Sequence, residues 1–290
     1  MEMCRIPTGG GRTLPFVKMQ GCGNDYIYID CFEETVEDPE TLARRLSDRH
    51  FGIGGDGVVL ICPSGVADAR MRMFNLDGSE GKMCGNAIRC VCKYLYDKGI
   101  VRKKIMNIET ASGIRQVELL WTNGEIQNAR VDMGKAEFSP DKIPVKLDGE
   151  RVISRETVVG GEKHSITCVS MGNPHCVVFC QHVDVMDIAH TGAENERDPL
   201  FPERVNVEFA EVIDRRKLRM RGWERGSGET FACGTGACAA VAAAVENGFC
   251  DKDKEITVLV RGGELLVKYT DETVYLTGNT QTVFEGIVEF

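Results

Sequence analysis

Hydrophobic and polar positions follow two rhythms along this chain. Ile88, Val91, Cys92 and Leu95 recur at i, i+3, i+4 and i+7, which predicts one apolar face of an α-helix. Asp97-Lys98-Gly99 closes that helix with a glycine at the usual stop. Ahead of it runs a polar, glycine-rich stretch, Phe74-Asn-Leu-Asp-Gly-Ser-Glu80, which leads into Met83-Cys84-Gly85-Asn86, so Cys84 stands where the helix begins. The same arrangement returns over 223–235, where a glycine-rich loop ends in Cys233-Gly234. An alanine-rich helix then runs to Glu246-Asn247-Gly248. Its stretch 237–245 is apolar all round with very small side chains, which predicts close packing on every side.

One shift of 149 residues carries Cys84 onto Cys233 and Gly99 onto Gly248. The same shift matches Gly23-Asn24 to Gly172-Asn173, Cys31 to Cys180, Phe74 to Trp223, Asn75 to Glu224 and Gly113 to Gly262. The chain is therefore read as two homologous halves, each presenting one cysteine at a helix start. The second rhythm is that of short strands. In the first half they are predicted over 16–19, 26–31, 58–62, 71–75, 105–110, 114–120 and 127–133. In the second half they fall over 167–170, 176–180, 205–210, 217–221, 255–260, 264–269 and 273–277. Short helices are expected over 39–48 and 185–190.

This pattern predicts an α+β fold of two domains related by a pseudo-twofold. Each is a curled, mostly antiparallel or mixed sheet wrapped around a central helix. The expected division is a loose tail over 1–13, a first domain over 14–135 and a second over 136–282, with Pro140 and Pro144 interrupting the pattern at the boundary. The strand over 283–290 has no counterpart within the first half's own span and is expected to cross back to complete it. Residues 51–57 match G-x-G-x-x-G literally, but the strand over 58–62 follows where a helix would be required, so a dinucleotide site is rejected.

Composition narrows the class. A hydrophobic fraction of 42% and a charged fraction of 27% are ordinary for a globular chain with a sizeable core. The net charge of −9 argues against nucleic acid or an anionic membrane as partner. No apolar run approaches the ~20 residues that a membrane-crossing helix needs, and 1–13 lacks the apolar core of a signal peptide. Thirteen cysteines, an odd number scattered through apolar segments, fit a reduced cytoplasmic protein better than a disulfide scaffold. Cys90-Val91-Cys92 has no matching pair at zinc-site spacing, so no metal is expected. Cys31, Cys62, Cys168, Cys180 and Cys250 read as small core residues.

A cysteine at a helix start meets unpaired backbone N–H groups and roughly half a positive charge from the macrodipole. Such a place favours thiolate and can draw a cysteine pKa from about 8.5 into the ~3.5–7.5 range. Two equivalent cysteines in related halves suggest one shared site and a symmetric task. Racemisation is such a task, with one thiolate removing a Cα proton and the opposite thiol returning a proton to the other face. The N–H groups of Gly85, Asn86, Gly234 and Thr235 are candidates to hold the substrate carboxylate and its growing charge. No lysine stands in a recognisable pyridoxal-phosphate context, and no cofactor is expected. A rival from another class is a redox protein in which Cys84 and Cys233 form a switchable disulfide.

Met19-Gln-Gly-Cys-Gly-Asn-Asp25, Met171-Gly-Asn-Pro-His175, Arg204-Val-Asn206, Trp223-Glu-Arg-Gly226 and Ala232-Cys-Gly-Thr-Gly236 complete a motif set with the two cysteine loops. Together these closely resemble the diaminopimelate epimerase family from about residue 16 onward. The resemblance implies interconversion of LL- and meso-diaminopimelate in lysine and peptidoglycan precursor synthesis, with Cys84 and Cys233 as acid–base pair. It also implies that Asn24, Asn75, Asn173, Asn206, Glu224 and Arg225 line the substrate site, with Arg225 gripping the distal carboxylate. His175 and Glu224 would tune the thiols. The resemblance further suggests a homodimer. Two-thiol racemases of proline, hydroxyproline or histidine lack the need for a distal clamp, so Asn206 and Arg225 favour diaminopimelate. A phenazine-synthesis type isomerase would not be expected to carry two Cys-Gly sites. The chain departs from the family pattern at Gly57, Gln20 and Ala87, where a glutamine, a histidine and a glycine are frequent.

Overall fold

The computed structural model describes residues 4–6, 11 and 13–289. They form two compact units, Met1–Val131 with Gly278–Phe290, and Asp132–Thr277. The first unit runs β1 Cys4–Ile6, β2 Thr13–Gly21, β3 Asn24–Asp30, α1 Pro39–Ser47, β4 Gly57–Cys62, β5 Ala69–Asn75, β6 Glu80–Gly81 and α2 Gly85–Asp97, then β7 Ile105–Thr110, β8 Gly113–Thr122 and β9 Glu125–Asp132. The second runs β10 Arg155–Val159, β11 Glu162–Ser170, β12 Pro174–Phe179, α3 Ile188–Glu196, β13 Asn206–Asp214, β14 Lys217–Glu224, β15 Gly228–Glu229 and α4 Gly234–Glu246, then β16 Glu255–Val260, β17 Gly263–Tyr269 and β18 Val274–Asn279. The last strand, β19 Gln281–Glu289, belongs to the first unit.

Pairing repeats strand for strand. In the first unit β2–β3 is antiparallel, β3–β4 parallel, β4–β5 antiparallel and β5–β7 parallel, followed by antiparallel β7–β8 and β8–β9. The second unit repeats that order from β11 to β18. Outside β11 lies antiparallel β10, and outside β2 lies antiparallel β19. The returning strand thus fills in one unit the place that β10 fills in the other, and it begins at Gln281 rather than at 283. The boundary between the units falls at 131/132 rather than 135/136. The tail expected to be loose over 1–13 holds β1, parallel to Gly286–Val288; Thr8, Gly9 and Gly10 lie outside the described residues.

The helix α2 forms where its apolar spacing places it. Ile88, Val91, Cys92 and Leu95 are all fully buried, and the helix packs on β2, β3 and β8. Gly99 then takes a φ of +76°, a left-handed turn that costs glycine nothing. In α4 every residue from Ala237 to Ala244 is fully buried, and the helix meets six strands of its sheet. Side chains this small let it approach on all sides. The helix expected over 185–190 is displaced. A 3₁₀ turn occupies Val183–Val185, and α3 starts at Ile188 because the Asp187 carboxylate caps it by accepting from His190 N at 3.2 Å. Strand β10 was not foreseen, since it buries only Val159 and shows no clear alternation. Cys168 and Cys250 are buried as expected, whereas Cys31, Cys62 and Cys180 are half-buried. Among the described residues no helix is long and apolar enough to cross a membrane.

Candidate active site

Cys84 caps α2. Its backbone is extended, and Ala87 N–H donates to its sulfur at 3.4 Å. The thiol in turn donates to Asn24 Oδ1 at 3.4 Å, an atom that also accepts from Asn86 Nδ2 at 3.3 Å. Asn24 sits at the start of β3, where the Gly21–Asn24 turn delivers it beside the helix start. The structure thus brings Asn24, Cys84 and Asn86 together. Asn75, at the end of β5 and paired with Gly57, donates to Ser79 Oγ at 3.0 Å within its own turn.

Two residues missed by the sequence reading frame this group. Asp56 accepts from Asn24 Nδ2 at 2.7 Å, from Asp25 N at 3.1 Å and from Arg49 at 3.0 Å. Burial, and then the neighbouring Asp25 carboxylate, push the Asp56 carboxyl above its ordinary range. Arg89, fully buried, donates to Asn86 Oδ1 and to Gly85 O, both at 2.9 Å. At Gly57 a Cβ would stand 2.1 Å from Phe74 O, so this backbone accommodates no glutamine there.

In the second unit Cys233 caps α4, with Gly236 N–H donating to its sulfur at 3.3 Å and the Thr235 hydroxyl 3.4 Å away. Asn173 Nδ2 donates to Thr235 Oγ1 at 3.3 Å, and Asn173 Oδ1 lies 3.1 Å from His175 Nε2. The other imidazole nitrogen is 2.7 Å from Glu208 Oε1, and both partners are buried. Glu224 completes the cluster, accepting from the Thr230 hydroxyl, and its carboxylate acts on the Cys233 thiol. Next to it on the chain, Arg225 takes its place through its backbone N–H, which donates to Asn206 Oδ1 at 2.8 Å, while its guanidinium donates to Glu203 O at 2.8 Å. Asn206 is anchored by donating to Pro174 O at 2.9 Å.

The helix-start argument predicts a lowered pKa at both cysteines, and at Cys233 the opposite holds. Burial pushes this thiol well up, and the Glu224 and Glu208 carboxylates push it further. The Thr235 hydroxyl and the Gly236 N–H oppose them and are outweighed. Burial, then Glu208, also raises the Glu224 carboxyl, against the pull of Thr230 and His175. Glu208 was missed, although it lies two residues after Asn206 on one strand and therefore on the same sheet face.

A family model described as diaminopimelate epimerase matches residues 16–139 and 167–283. The chain belongs to the diaminopimelate epimerase family. Among its relatives, the diaminopimelate epimerase of Acetivibrio thermocellus is 51% identical, covering 94% of this chain and 98% of its own. That of Desulfovibrio desulfuricans is 52% identical over 94% and 97%, and that of Methanococcus maripaludis 46% identical over 95% and 100%. Membership makes the chain an isomerase of the racemase and epimerase kind. A hydroxyproline epimerase structure from Agrobacterium vitis shares the fold with a TM-score of 0.71 at 14% identity, covering 96% of this chain and 92% of its own. A phenazine biosynthesis protein of the PhzF family from Bacillus anthracis does so at 0.70 and 19% identity, over 96% and 100%. At these identities the likeness concerns the fold alone.

Proposed function

We propose that the chain interconverts LL- and meso-diaminopimelate without a cofactor, with Cys84 and Cys233 as the acid–base pair. The observation that carries this reading is that both cysteines cap helices in repeat-related loops, each sulfur receiving a backbone N–H. In the forward direction one thiolate takes the Cα proton and becomes a thiol. The electron pair left behind delocalises into the substrate carboxylate. The other cysteine then gives its thiol proton to the opposite face of that carbon and becomes the thiolate, so each turnover exchanges the protonation states of the pair.

The costly species is the carbanion, and fixed donors are what stabilise it. Gly85, Asn86, Gly234 and Thr235 at the two helix starts are assigned to the reacting carboxylate, with Asn24, Asn75 and Asn173 lining the same substrate. Arg225, seated by Asn206, is assigned to the distal carboxylate, for which its planar fork is suited. Glu224 and His175 set the proton affinity of Cys233. The reaction belongs to lysine and peptidoglycan precursor synthesis in the cytoplasm, where thiols stay reduced.

The test is proton NMR of LL-diaminopimelate in D2O with reduced enzyme. Loss of the Cα–H signal with growth of the meso isomer is expected, and neither Cys84→Ala nor Cys233→Ala should give it. Exchange with proline or histidine and none with diaminopimelate would overturn the substrate. Silence toward all of them would overturn the enzyme reading.

A further inference from the structure

We propose that Asp56 and Arg89 are positioning residues that lock the Asn24 carboxamide with its carbonyl facing the Cys84 sulfur. The two amides between them form a chain whose direction is forced at both ends. A guanidinium can only donate, so Arg89 at 2.9 Å requires Asn86 to present Oδ1 to it. The Asn86 amino group is then turned toward Asn24 Oδ1, 3.3 Å away. At the far end the hydrogen bonds to the Asp56 carboxylate come from donors: Asn24 Nδ2, Asp25 N–H and the Arg49 guanidinium. Asn24 must therefore give Asp56 its amino group and keep its carbonyl for Cys84 and Asn86. Neither amide can flip without setting donor against donor or acceptor against acceptor.

The consequence falls on the sulfur. A carbonyl 3.4 Å from Cys84 Sγ accepts from a thiol and opposes a thiolate. It works against the Ala87 N–H at the helix start, which favours the thiolate. The second unit has no copy of this device. By the repeat, the places of Asp56 and Arg89 are held by Val205 and Cys238. There the equivalent asparagine, Asn173, presents Oδ1 to His175 and its amino group to Thr235, the reverse of Asn24. The repeat-related asparagines thus offer opposite hydrogen-bond polarity toward their two helix starts.

The inference rests on Cys84 being one of the reacting thiols, as proposed above, yet its test reads sulfur chemistry rather than turnover. The rate of iodoacetamide alkylation at Cys84 is followed against pH by peptide mass spectrometry, with Cys233 as internal reference. In Asp56→Ala the shorter lock, the 2.7 Å bond from Asn24 Nδ2, is gone and only the 3.3 Å bond from Asn86 still holds the carbonyl, so the Asn24 amide can turn its amino group to the sulfur. The alkylation midpoint at Cys84 should fall by about one pH unit, the worth of one hydrogen bond, with that of Cys233 unmoved. In an Asn24→Ala background the same substitution should produce no additional shift.

An unchanged midpoint in natively folded Asp56→Ala would overturn the inference. So would a full shift in the Asn24→Ala background, which would reduce Asp56 to a plain charge. If Asp56→Ala loses its native circular dichroism, Asp56→Asn keeps the volume and can donate as well as accept. A smaller downward shift is then expected, and none would overturn the inference. Wild-type enzyme inactive on diaminopimelate would refute the functional reading and leave this titration standing.

Discussion

Cys84 and Cys233 occupy the same place in two copies of one loop, but different charges surround them. Beside Cys233 stand Glu224, Glu208 and His175, whereas the Cys84 group ends in Arg89 and Asp56. Glu224 is the nearer lever on Cys233, since its carboxylate stands first after burial among the causes that raise that thiol. Removing a negative charge favours a thiolate, so Glu224→Gln should move the pH midpoint of Cys233 alkylation down by about one unit. Peptide-resolved alkylation rates across pH would show it, and an upward shift would overturn this role for Glu224. The cysteines, Asn24 and Asn173 were legible because they sit in repeated motifs, and His175 because it follows Asn173 in one of them. Glu208, Asp56 and Arg89 were not. Each is a single charged residue inside a strand, a glycine loop or an apolar helix, and its meaning lies in what faces it. The sign at Cys233 was misjudged for a related reason: the helix terminus is visible in local sequence, whereas burial and the Glu208 carboxylate brought from β13 are not.

At the scale of elements, α2 and α4 show how one repeat carries two packing solutions. Ile88, Val91 and Leu95 of α2 correspond to Ala237, Ala240 and Ala244 of α4, and all six are fully buried. The alanine helix compensates for its small side chains by approaching its sheet more closely, which leaves no room for added methylenes. Ala240→Leu should therefore destabilise the protein by about 2 kcal/mol or more, the cost of overpacking a core. The midpoint of urea unfolding measures this, with an unchanged slope showing that compactness is retained. Both long helices and most strands were readable because periodicity and terminal glycines agreed with their burial. Strand β10 escaped because its sequence, Arg155-Glu-Thr-Val-Val159, buries one residue and shows no half-buried alternation. The displaced α3 shows a cap deciding where apolar spacing is weak, since Asp187 sets the start.

On the scale of the whole molecule, the repeat relates two sheets of identical pairing order, completed from opposite directions along the chain. β10 precedes the strand it flanks by two residues, whereas β19 follows β2 by most of the sequence. Val288 on β19 is fully buried in a cluster with Leu14, Phe16, Ile27 and Phe74. Removing residues 281–290 should strip amide protection from β2 and β3 while α4 and β13 keep theirs. Hydrogen exchange followed by mass spectrometry would resolve the two, and uniform loss would show that the units do not hold separately. The return of the chain was legible because a strand-like segment was left over after matching the halves. Its counterpart in the second unit, β10, shows which edge it fills. The order of synthesis gives this asymmetry a temporal meaning. The unit that leaves the ribosome first is finished last: β2 waits with an open edge until residue 289 has emerged, while Asp132–Thr277 already holds every strand it needs. β2 therefore keeps an open edge through the synthesis of the whole second half.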